Sequence, residues 1–134
     1  MQRSVAGILV AQGKVFIAKR GPDGSFQGRW EFPGGKVEEG ESDEAAIARE
    51  YREEFDIEVH ALRSLGESVF PHRGEDRVLA AWLIDLAPYT RPKLLEHEEV
   101  AWVGAEELIS LDLVDSDRKL VRFVLPLLAK KAAG

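Results

Sequence analysis

The chain has 134 residues, 45% hydrophobic and 31% charged, with 24 acids against 18 bases, a formal net charge of −6 and no cysteine. That length predicts one domain over residues 1–134, able to bury roughly two-thirds of its unfolded surface without covalent staples. The balance excludes disordered and collagen-like chains, and the missing cysteines exclude disulfides, thiolate metal sites and cysteine nucleophiles. The negative charge speaks against a binder of duplex nucleic acid. No apolar run approaches the ~18 residues of a membrane span. The stretch MQRSVAGILVAQGK is too short in apolar length for a signal peptide, so a cytoplasmic location with no membrane partner is expected.

In chain order, Val5–Ala11 and Val15–Ala18 are short apolar runs joined by Gln12-Gly13, which predicts two strands in a hairpin, the first buried on both faces. Arg20–Gly28 holds three glycines and a proline and reads as a loop. Trp30–Pro33 is a short extended piece broken by Gly34-Gly35, and Lys36–Glu41 is turn-like. Residues 42–55 change period: Ala45, Ala46, Ile47, Ala48, Tyr51 and Phe55 recur at helical spacing, with Ser42 as N-cap and Asp43 and Glu44 in the first turn. Ile57–Leu65 and Val78–Leu86 read as strands, the second central, separated by a loop over Glu67–Arg77. Ala87–Glu99 reads as a loop, Val100–Val103 as a strand and Gly104–Ile109 as one or two helical turns. A closing helix over 116–130, kinked by Pro126, completes a mixed α/β domain.

Glu50, Glu53 and Glu54 stand at i, i+3 and i+4, within a ~100° arc of the predicted helix. Three like charges so placed repel each other. They describe either a solvated acidic face or a set of hard oxygen donors for Mg²⁺ or Mn²⁺. Glu38, Glu39, Glu41, Asp43 and Glu44 deepen the negative field. The three histidines, His60, His72 and His97, show no zinc-type spacing, and there is no P-loop, nucleophile elbow or dinucleotide fingerprint.

Gly35, five residues, Glu41, seven residues, Arg49-Glu50 and then Glu53-Glu54 follow the register of the Nudix box, G-x5-E-x7-R-E-U-x-E-E-x-G-U with U aliphatic. The chain therefore resembles a Nudix hydrolase, and Trp30-Glu31-Phe32-Pro33-Gly34-Gly35-Lys36 is similar to the segment leading into the box in the MutT-type branch. Two positions depart from the pattern: Tyr51 stands for the aliphatic residue, and Asp56 for the glycine just past the helix. Tyr51 is expected to bury its ring on the face away from the glutamates with its hydroxyl wet, and Asp56 to adopt a left-handed conformation.

The resemblance implies a Nudix fold, a mixed β-sheet sandwiched between helices (α/β/α). It also implies Mg²⁺-dependent hydrolysis of a nucleoside triphosphate, such as 8-oxo-dGTP, to monophosphate and pyrophosphate, with Mn²⁺ as a substitute ion. CTP, dCTP or a modified cytidine nucleotide is the alternative substrate, and a non-catalytic nucleotide-reading module the alternative class. Carried over residue by residue, Glu50, Glu53 and Glu54 would ligate metal together with the Gly34 carbonyl, while Arg49 would hold the carboxylates in place and Glu41 would orient the loop. The general base would be Glu53 or a carboxylate of the stretch before Trp102, with Glu98 favoured over Glu96 and Glu99. Arg20 and Lys36 would meet phosphate, Glu31 and Phe32 would lie near the nucleoside, and Asp117 would read the base edge. Read as an acceptor-only carboxylate, Asp117 favours a base offering N–H donors. Arg73 and Arg77 are further phosphate candidates, and the chain is expected to act as a monomer or homodimer.

Overall fold

The computed structural model describes residues 2–21, 28–87, 92–93, 95 and 97–129, with the side chain of Glu98 outside that set. The strands are Gln2–Ala11 (β1), Lys14–Arg20 (β2), Trp30–Glu31 (β3), Gly34–Lys36 (β4), Val59–His72 (β5), Glu75–Leu86 (β6) and His97–Val103 (β7). The helices are Asp43–Phe55 (α1), Ala105–Ser110 (α2), Asp115–Arg118 (α3) and Val121–Leu128 (α4). All seven strands join one mixed sheet in the order β3-β2-β1-β6-β5, with β4 added to β1 and β7 to β2. Strand β1 runs parallel to β6 and antiparallel to β2 and β4.

Side chains alternate across a strand, and this sheet uses both faces. Val5 and Leu9 of β1, Phe16 and Ala18 of β2, and Ala80 and Ile84 of β6 pack against Ala46, Ile47, Tyr51 and Phe55 of α1. Their neighbours Ala6, Ile8, Val15, Ile17, Leu79 and Ala81 face Leu108 of α2 and Leu120, Val121, Val124 and Leu128 around α4. The predicted α/β/α sandwich and the central place of β6 both hold. Among the described residues no helix is long and apolar enough to cross a membrane.

Four local expectations change. The extended piece already ends at Glu31, and Gly34-Gly35 starts a separate strand, β4, pairing with Ala6 and Val5 through the backbone, which needs no side chain. A Cβ on Gly34 would run into the Val5 carbonyl, so close backbone approach is what selects glycine there. Residues 67–77 are not a loop: β5 and β6 pair from Val59↔Leu86 to His72↔Glu75 and turn at Arg73-Gly74, both at positive φ. β5 is an edge strand whose polar groups sit in water, so it lacks the apolar signature of a buried strand. The closing helix is two short helices with a break at Lys119-Leu120, which turns Asp117 inward while Leu120 and Val121 stay in the core. Finally, Tyr51 is wholly buried, and its hydroxyl, far from wet, donates to the Gly7 carbonyl at 2.8 Å. Burial, with the charges of Glu54 and Glu31 added, raises its phenol well above the ordinary value.

Candidate active site

Helix α1 begins as its sequence dictates, with the Ser42 hydroxyl accepting from the Ala45 N–H at 3.1 Å. It ends on Asp56 at φ 55° and ψ 43°, the left-handed conformation expected, with the Asp56 N–H donating to the Arg52 carbonyl. This fixes the acidic face against β4. Arg49 occupies the centre. Its Nε and Nη2 donate to Glu41 at 2.8 and 3.0 Å, its Nη1 to Glu50 at 2.8 Å and Glu53 at 3.4 Å, and Nη2 also to the Lys36 carbonyl at 2.9 Å. The Arg49 hydrogen bonds, helped by the Glu38 N–H, hold the Glu41 carboxyl down at about 2. Gly35 lets Glu50 lie against the backbone, since a Cβ there would sit 2.5 Å from the Glu50 carboxyl.

Two clefts meet beside this helix. One, of about 320 Å³, is lined by Arg20, Gly21, Glu31, Gly34, Glu50, Glu54 and His97. The other, of about 310 Å³, takes in Glu31, Phe32, Lys36, His72, Arg77 and Asp117 among its walls. Arg20, Glu31 and Gly34 line both and form the junction. At that junction Arg20 Nε lies 2.9 Å from Glu31 Oε1, and His97 Nε2 lies 2.7 Å from Glu31 Oε2 and 3.4 Å from Glu54 Oε1.

In the second cleft Asp117 is buried, its Oδ2 accepting from the Phe32 N–H at 2.7 Å and its Oδ1 from the Ser116 hydroxyl at 3.2 Å. Burial, with the charge of Glu31 behind it, pushes the Asp117 carboxyl up to about 7, against the hydrogen bonds and Arg20. Near neutral pH this group is therefore partly protonated, and in that form it offers an O–H beside its acceptor oxygen.

The predicted site residues thus sort by place. Gly34, Glu50, Glu54, Glu31 and Arg20 converge on the first cleft, and Phe32, Lys36 and Asp117 on the second. Arg49 stands behind them. Glu53 lies outside both linings with its side chain 55% exposed, and Glu99 is exposed on β7 opposite Lys19. Glu96 and the Glu98 side chain lie outside the described residues. Phe32 is buried in the core and also lines the second cleft. Arg77 lines that cleft while Arg73 sits in the β5–β6 turn. His97 was missed: its partners are 66 and 43 residues away along the chain, and no local spacing announces them.

The donor set suits a divalent cation. Glu50, Glu54 and the Gly34 backbone offer hard oxygens in one cleft, and glycine at position 35 leaves the Glu50 carboxylate its place.

A helix carrying aligned carboxylates, clamped by one arginine and laid against a glycine strand in an α/β/α sandwich, is the Nudix arrangement. Residues 1–124 match the family model described as NUDIX domain, and the chain belongs to that family. Among curated relatives it is 38% identical over 120 residues to a Mycobacterium tuberculosis protein named, provisionally, 8-oxo-dGTP diphosphatase 2, covering 85% of this chain and 81% of that one. It is 33% identical over 135 residues to the CTP pyrophosphohydrolase of Escherichia coli, covering 96% and 95%. Among solved structures, the Escherichia coli ORF135 protein is similar at TM-score 0.83 and 31% identity, over 100% of this chain and 95% of that one. A MutT NUDIX hydrolase from Burkholderia pseudomallei is similar at TM-score 0.79 and 25% identity, over 92% and 97%.

Proposed function

We propose that this protein hydrolyses a nucleoside triphosphate to a monophosphate and pyrophosphate with a divalent cation, Mg²⁺ first and Mn²⁺ as substitute. The observation that carries this reading is the junction of the two clefts: carboxylate and backbone oxygens line one, the buried carboxyl of Asp117 lies in the other, and Arg20 lines both. The second cleft is at the lower end of the ~300–1,000 Å³ typical of small-molecule sites, a fair size for a nucleoside. Glu50, Glu53, Glu54 and the Gly34 carbonyl would hold the cation, whose chemistry is charge neutralisation of the phosphate chain and acidification of water. Arg49 fixes the carboxylate positions, so the ligand set is formed before substrate arrives. Arg20 and Lys36 orient the phosphates. The proton of the attacking water passes to a carboxylate oxygen of Glu53 or Glu98, and E53Q and E98Q compared side by side name which.

For the base, the relatives' names support two substrates. The 8-oxo-dGTP diphosphatase relatives favour an oxidised guanine nucleotide, and the CTP pyrophosphohydrolase, matched over 95% of its own length, favours a cytidine nucleotide. Asp117, able to offer O–H and C=O together near pH 7, complements an edge that pairs a donor with an acceptor, which both bases present. The test is product analysis. Protein with Mg²⁺ is incubated with the eight common triphosphates and 8-oxo-dGTP, and monophosphate is resolved from diphosphate, with and without EDTA. Monophosphate plus pyrophosphate from one or two substrates, abolished by EDTA, is expected. Diphosphate plus orthophosphate, or turnover of none by folded protein, overturns the reading.

A further inference from the structure

His97 opens β7 beside the bulge at Lys19/Arg20, and its ring is buried, with the side chain 5% exposed. The ring lies flat on Phe55, centroids 5.2 Å apart and planes 8° from parallel, so its orientation is fixed. Its Nε2 faces two carboxylates from different elements, Glu31 of β3 and Glu54 of α1. An imidazole nitrogen carries at most one proton, and one N–H can lie along the line to only one acceptor. The other ring nitrogen, Nδ1, is buried with no hydrogen-bond partner among the described residues. A histidine present only to lock Glu31 would be expected to tie down that second nitrogen.

A cation accounts for the convergence better than a proton. One donor atom from each of Glu31, Glu54 and His97 lies within 4.8 Å of the other two. An octahedral ion with ligands at ~2.1 Å sets neighbouring donors about 3 Å apart and opposite ones about 4.2 Å. The separations of 2.7 and 3.4 Å from Nε2 bracket the first of these. Arg20 occupies the other oxygen of Glu31 and leaves Oε2 turned toward His97.

We propose that His97 Nε2, Glu31 and Glu54 form a mixed nitrogen–oxygen site for a divalent transition-metal ion in the first cleft. The proposal rests on the reading that the box carboxylates bind a divalent cation, and it adds a selectivity that oxygen donors alone would not give. Imidazole favours Mn²⁺, Co²⁺ or Zn²⁺ over Mg²⁺.

The test is pulsed electron paramagnetic resonance of the full chain loaded with Mn²⁺ alone. The expected result is a coupling from directly bound ¹⁴N that converts to the ¹⁵N pattern in protein grown on [¹⁵N]histidine and vanishes in H97Q. H97Q should also weaken Mn²⁺ binding about tenfold while moving Mg²⁺ binding less than threefold. Should H97Q fail to fold, the double variant H60Q/H72Q leaves His97 as the one histidine and must keep the signal. Bound Mn²⁺ with no histidine coupling overturns the His97 proposal and leaves the carboxylate site standing. A coupling that persists in H97Q likewise overturns it. No Mn²⁺ binding at all overturns both.

Discussion

Five hydrogen bonds converge on the Arg49 guanidinium, which has five N–H groups to give. A lysine there would keep the charge but could neither fork across Glu41 nor reach Glu50, Glu53 and the Lys36 carbonyl together. Under the proposed function, Arg49→Lys should therefore lower kcat/KM at least ~10-fold while the protein stays folded, because the carboxylates it orients would be the ones that hold the cation. Steady-state kinetics beside far-ultraviolet circular dichroism checks this, and a variant with unchanged kinetics would refute the clamp. The adjacent glycines separate two kinds of damage. A Cβ on Gly34 meets the Val5 backbone, which cannot yield, whereas a Cβ on Gly35 meets the far end of the Glu50 side chain. Gly34→Ala should unfold or strongly destabilise the protein. Gly35→Ala should cost little in Tm but displace Glu50 and reduce activity more than 10-fold, and thermal melts with kinetics on both variants resolve the pair.

At the scale of elements, α1 closes on a residue poorly matched to its backbone. Asp56 holds a left-handed conformation that glycine adopts at lower cost, and its 3.2 Å ion pair with Lys93 is exposed on both sides. Asp56→Gly should stabilise the fold by about 0.5 kcal/mol, a rise of roughly 2 °C in Tm by calorimetry. A fall would mean that the ion pair outweighs the backbone term. The helix itself was legible because every signal for it is local: the Ser42 cap, the first-turn acids, the apolar period and the i, i+3, i+4 glutamates. What the sequence hid depends on distant partners. Gly34-Gly35 becomes a strand only because β1 lies beside it, and β5 continues past Leu65 only because β6 runs alongside as far as Glu75. Tyr51 fits where an aliphatic residue was expected because Gly7 opposite has no side chain: a Cβ there would lie 2.7 Å from the Tyr51 ring. His97 joins Glu31 and Glu54 through the sheet, a contact no motif spacing could have shown.

Over the whole molecule, buried and paired acids pull stability in opposite directions with pH. Glu41, held down by Arg49, and Asp43, held down by Arg3, have folded-state values below their unfolded ones. Their contribution is present above the ordinary carboxylate range and is lost as pH falls through it. Asp117 has the reverse sign. Its folded value of about 7 lies above the unfolded 3.8, so between those limits the folded protein keeps a proton that the unfolded chain has released. Stability must then decline as pH rises across that window, by up to roughly 1.4 kcal/mol per pH unit, and level off above it. The net charge of −6 at pH 7 adds self-repulsion in the same direction, so the slope of the wild type alone does not isolate Asp117. Asp117→Asn does, because it removes the titration while an amide oxygen can still accept from the Phe32 N–H. Tm measured from pH 4.5 to 8 should fall more steeply in the wild type than in Asp117→Asn, the two curves separating most between pH 5 and 7. Parallel curves would show that Asp117 titrates alike in both states, and that it is an acceptor-only carboxylate at neutral pH.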